Sequence, residues 1–224
     1  SPQGPGTDFN TMFGSAIAGQ SNLSGYPAGT VNRRVFSGLG QNGGTAMSRS
    51  NWQSASSQIL NEASYVNVAA QANLDISTRQ LSVTVEAYYT GNSPVTTNKL
   101  NVALMQNNVE GPQTGGSTYN PSAILPNGNY NHQHMLRHLL TGQWGDDITN
   151  TTSGSFFTNT YTYTIPNDLN GIAYDLFNLE VAVFLTETQQ NIVTGNVASM
   201  NLIVPPGINL VDLGASSGMS LSLI

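Results

Sequence analysis

Cysteine is absent from all 224 residues, which removes disulfide bonds, thiolate nucleophiles and CxxC redox pairs from the chemistry this chain can carry. Charge is scarce too: Asp, Glu, Lys and Arg make up 8% of the sequence, against about 25% in an ordinary soluble domain. The formal net charge is -6, and the six basic residues are dispersed except for the adjacent pair Arg33 and Arg34. Without a basic stripe to neutralise a phosphate backbone, nucleic acid is not an expected partner. No apolar run approaches the roughly 20 residues of a membrane-crossing helix, so no transmembrane span is expected. GxSxG, Walker and GxGxxG loops are missing from any strand-to-helix context. The start, Ser1-Pro2-Gln3-Gly4-Pro5-Gly6, carries no initiator Met, signal peptide or lipid-attachment Cys, and reads as a processed or trimmed end or the beginning of the ordered part of a longer protein.

What fills the polar positions instead is Asn, Thr, Ser, Gln and Gly, a profile that fits an exported β-rich protein. A chain of this length can bury about 70% of the surface it exposes when unfolded, so a core forms without staples. The first sixty residues mix periods. Asp8 precedes a short helical pattern ending at Gly19, with Phe9, Met12, Phe13 and Ile17 on one side; Pro27 introduces a strand-like run from Thr30 to Phe36; and Ser50 to Ala63 reads as an amphipathic helix with Trp52, Ala55, Ile59 and Leu60 inward.

From Tyr65 the period becomes two. Leu81, Val83, Val85, Ala87 and Tyr89 share one face of "RQLSVTVEAYY", while Gln80, Ser82, Thr84 and Glu86 share the other. "VNVAAQANLD" and "NKLNVALMQ" flank it and predict a three-stranded meander; "FFTNTYTYTI", "FNLEVAVFLTE" and "NVASMNLIV" supply further strands. The fold class is therefore mainly β: an antiparallel β-sandwich, immunoglobulin-like or jelly-roll, preceded by a small α/β segment. Expected boundaries are 1–63 for that segment, 64–206 for the sandwich and 207–224 for a tail or the opening of another domain, after Pro205-Pro206-Gly207.

The stretch "YNHQHMLRHLLTGQWGDD", Tyr130 to Asp147, holds all three histidines. As one strand it would project His132, His134 and His138 to one face, a donor set for zinc or copper; as a helix it would pair His134 with His138 at i, i+4, but the zincin base position is Met135. The opposing expectation is structural: Arg137 pairs with Asp146 or Asp147, Trp144 covers the end of the sandwich, and Gly142 and Gly145 let the backbone fold back. Asp146 and Asp147 with Thr149 and Asn150 offer oxygens to calcium at a spacing that matches no EF-hand. Arg33 and Arg34 suit surface salt bridges better than anion binding. Tyr26, Tyr88, Tyr89, Tyr119, Tyr130 and Trp52 are candidates for a ligand platform, although packing accounts for most of them.

"GYPAGTVNRR", "NWQSASSQIL", "NVAAQANLDISTRQLSVTVEAYYT", "KLNVALMQNNVEGPQTGG" and "YNHQHMLRHLLTGQWGDDI", in that order, resemble the twenty-eight-kilodalton outer-membrane proteins of Bacteroidota. The resemblance runs from about Gly25 to Val204. It implies a thioredoxin-like domain followed by a β-sandwich, and residence at the outer membrane or cell surface, or secretion. On that reading residues 1–63 are the C-terminal half of the thioredoxin-like domain, Pro27 takes the place of its cis-proline, and a companion fragment or longer parent supplies the rest. The function expected is a noncatalytic surface module without cofactor that contacts outer-membrane or surface proteins or glycans. The alternatives are a metal enzyme built on His132, His134 and His138, and a redox protein whose cysteines lie elsewhere.

Overall fold

The computed structural model describes residues 6–204 and, for the backbone alone, 219–223. The expected chain start at Ser1 to Pro5, the boundary at Pro205-Pro206-Gly207 and the tail up to residue 218 lie outside the described residues. Among the described residues there are three α-helices, α1 (Gly14–Gln20), α2 (Trp52–Ile59) and α3 (Gly116–Tyr119). The strands are β1 (Ala28–Gly29), β2 (Met47–Ser48), β3 (Val66–Asp75), β4 (Gln80–Tyr89), β5 (Asn98–Gln106), β6 (Val109–Gly111), β7 (Tyr130–His132), β8 (Met135–Leu139) and β9 (Asp146–Ile148). They continue with β10 (Phe156–Thr164), β11 (Asp168–Leu169), β12 (Ile172–Ala173), β13 (Leu179–Glu187), β14 (Asn191–Val197), β15 (Ser199–Val204) and β16 (Met219–Leu223).

Two sheets carry the sandwich. The first has the order β10-β4-β3-β15-β16; the second has the order β14-β13-β5-β8, with β9 also paired to β5. The period of two sets the core. Leu81, Val83, Val85, Ala87 and Tyr89 of β4 are all buried, and they meet Leu100, Val102 and Leu104 of β5 and Val181, Val183 and Leu185 of β13 from the opposite layer. Each fully buried leucine or valine contributes about 1.5–3 kcal/mol. A polar pair inside the core is satisfied: Tyr89 Oη donates to Asn98 Oδ1 at 3.0 Å, and Asn98 Nδ2 bonds the Tyr65 hydroxyl and the Thr186 carbonyl. Burial pushes the Tyr89 hydroxyl up to about 12.

Several expectations are corrected by this arrangement. β3, β4 and β5 are not a meander, because β10 occupies the free side of β4 and sends β5 to the other layer. The sandwich is not wholly antiparallel: β15 runs parallel to β3, and β16 parallel to β15. β5 is buried on both faces, since Phe13 and Ile17 from α1 and its approach cover Ala103 and Leu139 on the outside of the second sheet.

The N-terminal segment holds less regular structure than its periodicity predicts. Thr30 to Phe36 is no strand: Asn32 and Arg33 both adopt φ +48°, in the left-handed region that a strand excludes. Ahead of it Ala28–Gly29 pairs antiparallel to Met47–Ser48, just after a cis Tyr26–Pro27 bond. Asp8 caps no helix and instead accepts from Asn10, while Met12 is exposed. Of the predicted inward residues of α2, Ala55 and Ile59 pack with Met47 and Phe36. Trp52 is partly exposed over Gly29, its indole donating to the Met47 carbonyl, and Leu60 points to solvent.

Candidate functional site

The histidine segment is divided between two sheets. β7 carries Tyr130 and His132 against β6, β8 carries Arg137 and His138 on the edge of the second layer, and His134 forms the joint at φ +51°. The joint is imposed from a distant turn. Asn107 Oδ1 accepts from the His134 backbone N–H at 2.8 Å, and Asn108 Oδ1 accepts from Asn131 Nδ2 at 3.1 Å and Gln133 Nε2 at 3.0 Å. A single strand across Asn131 to Leu139, the expectation that lines up three imidazoles, is thereby broken.

Each imidazole has its own surroundings. His132 lies between the rings of Phe9 and Tyr130, both 4.9 Å away by centroid. His134 is exposed and its Nδ1 lies 2.7 Å from Glu180 Oε2. His138 stacks flat on Tyr163 at 4.1 Å and meets the edge of Phe13 at 5.3 Å. Among the described residues no group of three or more His, Asp or Glu is placed to hold a metal ion. The three histidines considered for zinc or copper, His132, His134 and His138, thus have separate surroundings, and Asp146 and Asp147, considered for calcium, stand exposed on β9.

Burial lowers the pKa of His138, and it lowers that of His132 against the opposing pull of the Pro112 and Gly111 backbone. A histidine held neutral in the fold contributes stability above its ordinary value of 6.5 that is lost as pH falls through the depressed folded value. Unfolding free energy is therefore expected to decline as the pH falls from about 6.5 towards the depressed folded value, and His138→Phe should flatten the decline. Urea titrations across that range check it; an unchanged slope in the variant contradicts it.

Arg137 does not pair with Asp146 or Asp147. It is buried, its guanidinium lies over the Tyr174 ring at 4.2 Å, and Nη2 donates to the Ile172 carbonyl at 2.7 Å. Asp147 pairs instead with Lys99, directly opposite on β5. Asp146 stands beside Tyr161, whose hydroxyl is pushed up chiefly by burial, with the Asn159 hydrogen bond opposing and Asp146 reinforcing.

The glycines do a different job from a reversal. β8 pairs with β5 up to Leu139 opposite Ala103, and β9 resumes on the same edge with Asp146 opposite Leu100. Residues 140–145 thus arch over Asn101 and Val102 without changing direction. Thr141 Oγ1 accepts the Val102 N–H inside the arch at 3.0 Å. Gly142 (φ +68°) and Gly145 (φ +77°) make the two bends, and a Cβ on Gly145 would lie 2.6 Å from the Leu100 carbonyl oxygen. Trp144 is half-buried and is not among the side chains packed on the core. The segment therefore seals one edge of β5.

The remaining candidates are also engaged. Arg34 pairs with Glu62 at 2.9 Å, and Arg33 lies over Phe184 at 5.1 Å. A cleft of about 270 Å³ beside that pair includes Tyr65, whose hydroxyl donates to Glu187 at 3.1 Å. Of the aromatic platform candidates, Tyr89 is core and Tyr130 donates nothing to a shared surface: its hydroxyl accepts from Asn120. Tyr119 stacks under Arg49 at 4.5 Å, and Tyr26 and Trp52 remain partly exposed in the N-terminal segment.

Sequence reasoning missed the outer face of the first sheet. Register places Phe156, Tyr88 and Asn67 in one row, then Thr158, Glu86 and Ala69, then Thr160, Thr84 and Gln71, then Thr162, Ser82 and Asn73. The Thr84 and Thr160 hydroxyls bond at 3.0 Å, and Tyr88 and Phe156 are 49% and 57% exposed. The available signal was Tyr88 standing on the polar side of the β4 alternation, next to a strand with threonine at every second position.

The profile of the family described as Outer membrane protein Omp28 matches residues 15–202. The chain belongs to the Omp28 family. Among curated proteins none matches it. The structure of HBP35 of Porphyromonas gingivalis is similar, with 16% identity, a TM-score of 0.62, and coverage of 84% of this chain and 57% of that one. This chain thus spans little more than half of that protein, and the likeness concerns the fold. A domain of the outer membrane lipoprotein Omp28 from Porphyromonas gingivalis also matches, at 17% identity and a TM-score of 0.42, over 63% of this chain and 92% of that one. Membership of the Omp28 family places the protein at the outer membrane or cell surface. No helix among the described residues is long and apolar enough to cross a membrane.

Proposed function

We propose that this Omp28-family chain is a noncatalytic surface module that binds through the outer face of its first sheet. The observation that carries the reading is that face: mostly hydroxyl and amide side chains in register across β10, β4 and β3, with a single carboxylate, Glu86, among them and the exposed pair Tyr88 and Phe156 at one end. Aromatic rings stack on the C–H faces of sugars, and uncharged hydroxyls and amides exchange hydrogen bonds with neutral hydroxyl groups. Neutral glycan suits this chemistry, with other outer-membrane or surface proteins the second partner class. Support for a noncatalytic role comes from the histidines, each occupied by a different neighbour. The redox alternative needs cysteines beyond these residues.

The domain limits 1–63 and 64–206 belong to the same proposal. Helix, short strand pair and helix in the first segment support reading it as part of a thioredoxin-like unit that a companion stretch completes. Binding of the full chain to isolated cell-surface polysaccharide tests the central reading. Tyr88→Ala, a change on an exposed ring, is expected to weaken retention about tenfold, the equivalent of losing one stacking contact of roughly 1.4 kcal/mol. Retention equal to that of the parent chain would contradict the proposal.

A further inference from the structure

The first sheet ends at β10, and beyond that strand no described element pairs with it. Exposed edges in proteins are ordinarily blunted by charge, proline, bulges or shortness. β10 has none of these: Phe156 to Thr164 is nine residues long, reads FFTNTYTYT, and pairs with β4 without a register shift. Its composition favours strand pairing throughout.

Which backbone groups face outward follows from the ladder. At the two ends, the Ser155 carbonyl accepts from Tyr89 N–H and the Ile165 N–H donates to the Arg79 carbonyl, so odd-numbered residues bond inward to β4. Phe156, Thr158, Thr160, Thr162 and Thr164 then present N–H and C=O to the open side. The Thr160 N–H, at the centre, is met by the Asn159 side-chain oxygen at 2.9 Å, in keeping with its absence from the ladder. Proline at 166 ends the run.

We propose that the open edge of β10 receives β10 of a second copy of this chain, antiparallel about a twofold axis at Thr160. That register is self-complementary. It uses all five outward residues, pairing 156 with 164, 158 with 162, and 160 with itself, and it brings no charge opposite another. On the core side it sets Phe157 against Tyr163 and Asn159 against Tyr161 at the closely spaced positions of the ladder, where cross-strand aromatic contacts are strongest. Phe157, Tyr161 and Tyr163 are only partly buried in the single chain, so the second copy completes their cover. A twofold axis moved to 158 or 162 leaves outward residues unmatched or runs into Pro166.

The absence of native cysteine makes the register directly testable with the full chain. Residues paired across such a position have Cα atoms about 5.5 Å apart, within disulfide reach. Under mild oxidation Thr160→Cys is expected to cross-link to itself in high yield. Thr158→Cys alone is not, and mixing Thr158→Cys with Thr162→Cys should restore the cross-link. Sedimentation of the cysteine-free chain should move from 23.7 kDa towards twice that mass as concentration rises. Thr160→Pro removes an outward N–H that β4 does not use, and should weaken association about tenfold or more while circular dichroism stays unchanged; Thr160→Lys, which sets two ammonium groups opposite, should do the same if proline perturbs the strand. A chain that stays monomeric at every concentration, equal cross-linking of Thr158→Cys alone, or a monomer whose edge is taken only by an added extended peptide would each overturn the proposal.

Discussion

Replacing Gly145 with alanine is expected to cost about 3 kcal/mol or more in unfolding free energy, while the same change at Gly142 costs about 1 kcal/mol. Both glycines have positive φ and both lie in the arch of residues 140–145, so the left-handed penalty is common to them. They differ in surroundings. At Gly142 an added Cβ meets nothing within 4 Å, whereas at Gly145 it meets the Leu100 oxygen at 2.6 Å and Asn101 Nδ2 at 2.8 Å. Those atoms belong to β5, buried on both faces, and cannot retreat without opening the edge that β8 and β9 close. Chemical denaturation of the two variants provides the comparison. Equal losses would mean that the arch can shift away from β5 and that the sealing role assigned to it is wrong.

The second large effect is expected at Arg137. Arg137→Ala removes a buried stem and a stacked guanidinium, and should destabilise by about 3 kcal/mol or more. Arg137→Met should cost less than about 1.5 kcal/mol. The guanidinium is incompletely served: Nη2 has the Ile172 carbonyl and the plane has Tyr174, but buried Nε has no partner. An unbranched apolar side chain keeps the packing and gives up a charge whose desolvation is poorly offset. Thermal unfolding of the pair decides it. Methionine proving as damaging as alanine would show that the charge itself holds the β11–β12 loop against β8.

The layered core was legible because burial on one face forces strict alternation, and β4 shows it from Leu81 to Tyr89. Alternation does not say which strand lies alongside. Three good strands in succession look like a meander, and only the capture of the β4 edge by β10, some seventy residues later, sends β5 across; β5 gives its own hint in Ala103 and Asn101, buried on the side that should be wet. The Thr30 to Phe36 run failed for a local reason, two consecutive left-handed residues that its composition does not announce.

At the histidine segment the residue types were visible and their grouping was not. The break at His134 is set by Asn107 and Asn108, distant in sequence, and nothing within the segment foretells it. Arg137 beside two aspartates invites an ion pair on sequence grounds, yet the chain brings Tyr174 and the Ile172 carbonyl to it first. The role of Gly142 and Gly145 was partly foreseen: the bends are there, but they make an arch on one edge instead of a reversal.

This Omp28-family protein is a two-layered strand scaffold whose imidazoles pack against rings or bond a carboxylate. Metal analysis of the full chain purified without chelator tests that most directly. It should carry well under one equivalent of zinc or copper, and His134→Ala should leave the content unchanged. One equivalent of either metal, lost on His134→Ala, would contradict it.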